Sequence, residues 1–172
     1  IKDGDIVIEG KNNQLSATVH IWVDIFNALV HIDVASNKKV LVTAAYESWR
    51  YKDRPLSGKA NNANSWKWVK NVQVIAPKDS IAFAKNGVVF FHQNKDSSIF
   101  DFTVKQQHLE RFKDSLWNPL QNFIGGGYMY GSQMLPFQNY TGTYAGTDFK
   151  GWSIKSTTPS NTSNIVVYLA HT

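Results

Sequence analysis

The chain has 172 residues and contains no cysteine. That absence removes disulfides, thiolate metal sites and cysteine nucleophiles together. Charge is sparse, with charged residues making up 18% of the chain. No apolar run reaches the roughly 18 residues a membrane-spanning helix needs. The longest contender, Ala17 to Val34, is interrupted by His20, Asp24, Asn27, His31 and Asp33. Neither a P-loop nor a G-x-S-x-G elbow occurs. The histidines, His20, His31, His92, His108 and His171, never fall at metal-ligand spacing, so neither a metal nor a cofactor is expected. Gly125-Gly126-Gly127 has no strand-then-helix frame for cradling a phosphate, and is predicted to be a flexible connection or a close backbone approach. These absences favour a binding protein over an enzyme.

What remains is a globular composition, 42% apolar, of a length that fits one domain over residues 1–172. The chain starts at Ile1 rather than Met and reads as a processed, secreted product. Two sequons, Asn139-Tyr140-Thr141 and Asn161-Thr162-Ser163, agree with export. The net charge of +5 favours anionic partners. The basic residues are scattered, densest at Arg50, Lys52, Arg54 and Lys59, then Lys67 and Lys70. No arginine-rich helix or zinc-finger spacing points to specific nucleic-acid binding.

Most segments alternate with period two, the signature of strands. Lys39 to Ala44, Trp66 to Val74, Ile81 to Phe83, Val88 to His92, Ser97 to Val104 and Asn164 to Ala170 all read this way. Lys85-Asn86-Gly87 separates two of them as a hairpin turn. Short strands at this spacing predict a mainly β, antiparallel β-sandwich flanked by one or two short helices. Lys105 to Trp117 carries helical spacing, ended by Pro119. Ser16 to Val30 satisfies both periods. Val19, Trp22, Val23, Phe26 and Val30 would share one helical face, yet Val19, Ile21, Val23 and Ile25 also alternate.

Aromatic residues crowd into polar, turn-like contexts. Trp49 and Tyr51 sit among Glu47, Ser48, Arg50 and Lys52, while Trp117, Tyr128 and Tyr130 flank the triple glycine. Tyr140, Tyr144 and Trp152 come later. Such side chains place an apolar body beside a polar tip, which suits a lipid interface or the face of a sugar ring.

The order of several short segments resembles the actinoporins, the pore-forming cytolysins of sea anemones. Gly87-Val88-Val89-Phe90-Phe91, then Asn94-Lys95-Asp96 and Phe100 to Val104, is similar to that family's central hairpin. Leu116-Trp117-Asn118 resembles its tryptophan-rich membrane loop, and Met129-Tyr130 with Leu135-Pro136-Phe137 its tyrosine-bearing segment. Gly151 to Ser156 and Asn161-Thr162-Ser163 resemble its C-terminal end. The resemblance runs from about Val34 to the end. It implies a β-sandwich that binds phosphocholine headgroups, especially sphingomyelin, at a target-cell membrane and forms a homo-oligomeric pore. Related folds occur in fungal aegerolysins and fruit-body lectins. On this reading Thr103, Phe112, Trp117, Tyr128 and Tyr130, with Trp49 and Tyr51, would contact lipid or glycan. A detachable N-terminal helix over 16–30 would insert through Val19, Trp22, Val23, Phe26 and Val30. The alternative is a lectin-like module or attachment head that makes no pore. A releasable helix over 16–30 favours the first reading and a sheet strand the second.

Overall fold

The computed structural model describes residues 4–56, 75–94 and 98–172. Twelve strands and two short helical elements occupy the described residues. The strands are β1 (Ile6–Lys11), β2 (Ser16–Asp24), β3 (Leu29–Val40), β4 (Thr43–Ser48), β5 (Arg54–Pro55) and β6 (Ile75–Ala76), followed by β7 (Ser80–Ala84) and β8 (Gly87–Gln93). Helix α1 (Ile99–Gln106) and a 3-10 turn (Glu110–Ser115) follow. Strands β9 (Ile124–Gly131), β10 (Met134–Tyr144), β11 (Thr147–Ser156) and β12 (Ser160–His171) complete the chain. All the sheets are antiparallel. The larger runs β1-β2-β3-β12-β9-β8-β7 and the smaller β10-β11-β4, with β5 and β6 forming a short ribbon.

The small sheet lies over β8 and β9, making a sandwich. Alternation decides what enters the core. Val88 and Phe90 of β8, Met129 of β9 and Ile165 of β12 point inward from the large sheet, and Trp152 and Ile154 of β11 meet them from the small one. Tyr46 of β4 stacks on Phe90 at 3.9 Å between ring centroids. The glycines of β9 serve this packing. A methyl group on Gly126 would run into the Phe90 carbonyl and Phe91. The triple glycine is thus the interior of a strand, where neighbouring backbone leaves no room, rather than a flexible connection.

Segment 16–30 is strand, not a helix. Val19, Ile21 and Val23 face one side of β2 and Trp22 the other, because β2 is laddered to β1 and β3 in continuous register. Phe26 lies in the β2–β3 turn, 91% exposed. Val30 is the second residue of β3, opposite Val23. Both neighbouring strands satisfy backbone groups that a lone helix of this length would have to satisfy alone, and this resolves the double period.

Two further expectations are corrected. Ile99 to Val104 is helical rather than extended, because Ser98 and Asp101 form a capping box that starts a helix there. The helical pattern of 105–117 is only partly realised. α1 stops at Gln106, and His108 takes a left-handed conformation (φ 54°) before the 3-10 turn begins. The hairpin at Lys85-Asn86-Gly87 forms, with Ala84 opposite Gly87. The strand expected over Trp66 to Val74 lies outside the described residues.

Ile154 has no exposed surface, so Ile154→Ala is expected to lower unfolding free energy by about 2–5 kcal/mol. Leu135→Ala, at a position 53% exposed, is expected to cost well under about 1.5 kcal/mol, both read by urea denaturation.

Candidate functional site

The outward face of the small sheet carries a connected line of aromatic rings. Tyr140 (β10) meets Phe149 (β11) edge-on at 6.1 Å. Phe149 is tilted against Trp49 at 6.1 Å, and Trp49 meets Tyr144 edge-on at 6.5 Å. The strand register explains the line. Gly142 stands opposite Phe149, and Gly151 opposite Tyr140. Each glycine lies beneath a ring: a methyl on Gly142 would come within 2.6 Å of Phe149 Cζ, and one on Gly151 would strike Tyr140. The rings therefore settle low across the sheet. Trp49 and Tyr144 stay 41% and 70% exposed at the open end. At the other end Lys155 sits over the exposed ring of Phe137, 4.7 Å from its centroid.

Polar groups border the strip. The Tyr140 hydroxyl donates a short hydrogen bond to Glu47 Oε1. Burial and then this carboxylate push the Tyr140 phenol up to about 12. Beside Trp49, Asp148 accepts hydrogen bonds from Tyr51 Oη and Lys52 Nζ, each at 2.6 Å, and from Arg54 Nη2 at 3.4 Å. Lys52 first, then Tyr51, hold its carboxyl well below the usual carboxylate range. The stability this depressed carboxylate contributes is complete above about pH 4 and is lost as pH falls from there toward its lowered folded-state value.

The loop bearing Trp49 is anchored from beneath. Asp79, whose side chain is 6% exposed, accepts from Ser48 Oγ at 3.1 Å and from Arg50 Nη2 at 3.0 Å, and it bonds His92 Nδ1 at 2.9 Å. Its own amide donates to the Arg50 carbonyl at 2.7 Å. This buried carboxylate is paired and fully hydrogen-bonded, the condition under which a buried charge is tolerated. A cleft of about 370 Å³ beside it is lined by Tyr51, Lys78, Ile81, Phe91 and Trp152.

The other sequence-derived residues lie elsewhere. Tyr128 and Tyr130 stack at 5.3 Å on the outward face of β9, and the Tyr128 hydroxyl donates to the Ala84 carbonyl and Asn86 Oδ1. The hydroxyl of Thr103 donates to the Ile99 carbonyl within α1. Phe112 lies under the Arg111 guanidinium in the 3-10 turn. Trp117 is 84% exposed in the loop that follows. Among the described residues no ring contact joins Trp117 to Tyr128 or Tyr130. Trp22 stacks on His31 at 3.9 Å and donates to Asp33. A second hollow of about 440 Å³ beside α1 is lined by Asn94, Asp101, Lys113, Asp114 and Asn118, with Asp101 engaged by Lys113 at 2.7 Å. Among the described residues no group of three or more His, Asp or Glu converges as for a metal ion.

Sequence reasoning reached Trp49 and Tyr51 but missed Phe149, Glu47 and Asp148 as members of one site. The available signal was the spacing of Tyr140, Gly142, Phe149 and Gly151, a small-against-aromatic pattern that becomes visible once a hairpin turn is placed at Ala145-Gly146.

An antiparallel β-sandwich with an aromatic strip on its outer sheet defines the class. The chain belongs to the family described as Domain of unknown function (DUF5703), whose N-terminal domain spans residues 1–172. Neither curated proteins nor solved structures gave a match.

Three outcomes follow from this geometry. Glu47→Gln is expected to bring the Tyr140 phenol back toward 10, read by ultraviolet titration against Tyr140→Phe. In the native chain the stability tied to the neutral phenol is complete below about pH 10 and fades as pH rises through about 12. Asp79→Ala leaves Arg50 and Ser48 without their buried partner, and is expected to destabilise the fold by about 3 kcal/mol in urea unfolding.

Proposed function

We propose that the chain is a glycan-binding module that lays a saccharide along Tyr140, Phe149, Trp49 and Tyr144. The observation that carries this reading is the continuous aromatic line on an exposed sheet face, with glycines beneath its rings and charged groups at its borders. A sugar ring has an apolar C–H face and a rim of hydroxyls. Aromatic rings accept the first, and Glu47 beside Tyr140, with the Tyr140 and Tyr144 hydroxyls, offers hydrogen-bonding groups to the second. The strip needs no conformational change to form, which lowers the entropic cost of binding. A module of this kind works outside the cell, where glycans are displayed.

The position of residues 16–30 supports this reading over pore formation. β2 is paired with β1 from Ser16 to Ile21 and with β3 from Ala17 to Asp24. Insertion as a helix would break both ladders and uncover the backbone groups of three strands. Of the residues through which a phosphocholine headgroup would be held, Tyr128 and Tyr130 stack together on β9 while Phe112 and Trp117 belong to the 3-10 turn and the loop after it, and among the described residues no ring contact joins the two groups.

A glycan array followed by calorimetric titration tests the proposal. Trp49→Ala and Tyr144→Ala are each expected to weaken binding about tenfold or more, while Trp117→Ala leaves it unchanged. Vesicles of phosphatidylcholine with sphingomyelin are expected neither to leak nor to co-sediment. Absence of glycan signal, or glycan binding indifferent to Trp49 and Tyr144, would overturn the reading.

A further inference from the structure

β1 is the outermost strand of the large sheet, and all six of its residues are exposed. Ile6, Val7 and Ile8 are 39%, 58% and 55% exposed. Ile6 and Ile8 continue the inward face of the sheet alongside Ile21 and Val19, whereas Val7 and Glu9 lie on the opposite face with His20 and Thr18. The small sheet does not reach this region, since the core cluster includes no residue of β1 or β2.

Exposed edge strands are ordinarily blunted by proline, a bulge, an inward-pointing charge, short length, charged side chains or a covering segment. β1 uses none of the first three. Its pairing with β2 runs from Ile6 to Lys11 without a register shift, and its charges, Glu9 and Lys11, both face outward. Neither makes an ion pair among the described residues. The opposite edge contrasts with it. β7 is only five residues long and follows Pro77-Lys78-Asp79.

We propose that β1 pairs antiparallel with β1 of a second copy, centred on Ile8, so that the large sheets of a two-fold dimer run on into each other. The strand is self-complementary in that register. Ile8 stands opposite Ile8 of the second copy, Ile6 opposite Gly10, Val7 opposite Glu9, and Asp5 opposite Lys11. An even register keeps both inward apolar faces on the same side of the joined sheet. It also brings Asp5, just before the strand and bonded to His20 Nε2 at 3.0 Å in its own chain, opposite Lys11 at both ends of the ladder. Centring on Glu9 would instead set two carboxylates face to face. Centring on Gly10 would pair only Glu9, Gly10 and Lys11 within the strand and leave Ile6 and Ile8 without opposite residues in it. Gly10 has open space around it, so a partner strand meets no obstacle there.

The lack of native cysteine makes the test clean. Ile8→Cys puts two sulfurs at the two-fold centre, where opposite Cβ atoms stand about 4.5–5.5 Å apart, near disulfide reach. Mild oxidation is expected to give a covalent dimer from Ile8→Cys and none from Val23→Cys, a position of matching exposure (54%) on the same face of β2, away from the two-fold centre. Sedimentation equilibrium of the unmodified chain is expected to show reversible dimers. Ile8→Lys, which sets like charges opposite each other, is expected to raise the dissociation constant at least about tenfold with an unchanged circular dichroism spectrum. A monomer throughout a dilution series overturns the proposal. So does a dimer that tolerates Ile8→Lys, or cross-linking that is equal for Ile8→Cys and Val23→Cys.

Discussion

The seam between the two sheets governs this molecule. Ile154 and Trp152 of the small sheet interlock with Val88, Phe90 and Met129 of the large one. The small sheet has only three strands. A three-stranded sheet with one solvated face holds its shape only where its other face is packed. The aromatic strip is the solvated face of that sheet. Its spacing and ring orientations therefore depend on residues that no ligand touches. The division of labour along β11 makes the point: Trp152 and Ile154 face the core, while Phe149 and Gly151 build the strip.

A second constraint acts where the strip leaves the sheet. Trp49 lies just past the end of β4, where the ladder no longer fixes it. Asp79 supplies the missing restraint by tying Ser48 and Arg50 to the start of β7 and to His92 on β8. Above it, Tyr51, Lys52 and Arg54 gather on Asp148. The loop is thus clamped on both sides of Trp49 by charge-assisted contacts. The two clamps differ in kind. The buried one resists solvent and salt, and the exposed one is open to screening and to a competing ligand.

Much of the fold is legible in the sequence. Period-two alternation and turn chemistry point to a mainly β sandwich, and Lys85-Asn86-Gly87 marks a hairpin correctly. The failures have local causes. Ile99 to Val104 alternates like a strand, but the Ser98–Asp101 capping box starts a helix there. Ser16 to Val30 satisfies both periods, and only the partners on either side decide between them. The triple glycine looks like a loop because its meaning, the close approach of Phe90 and Phe91, comes from a neighbouring strand. The site was half visible for the same reason. Trp49 and Tyr51 stand out in their own segment, whereas Phe149 and Asp148 become neighbours of Trp49 only through the β11–β4 register. Family membership supplies no chemistry, so the functional reading rests on this geometry.

The most direct test of that reading is a residue-resolved map of ligand contact. Backbone amide chemical shifts, followed while a glycan selected by array is titrated in, should move in the segments around Trp49 and from Tyr140 to Gly151. They should stay still around Trp117, Tyr128 and Tyr130. Shifts centred on β9 or on the loop carrying Trp117, with the strip unmoved, would contradict the account.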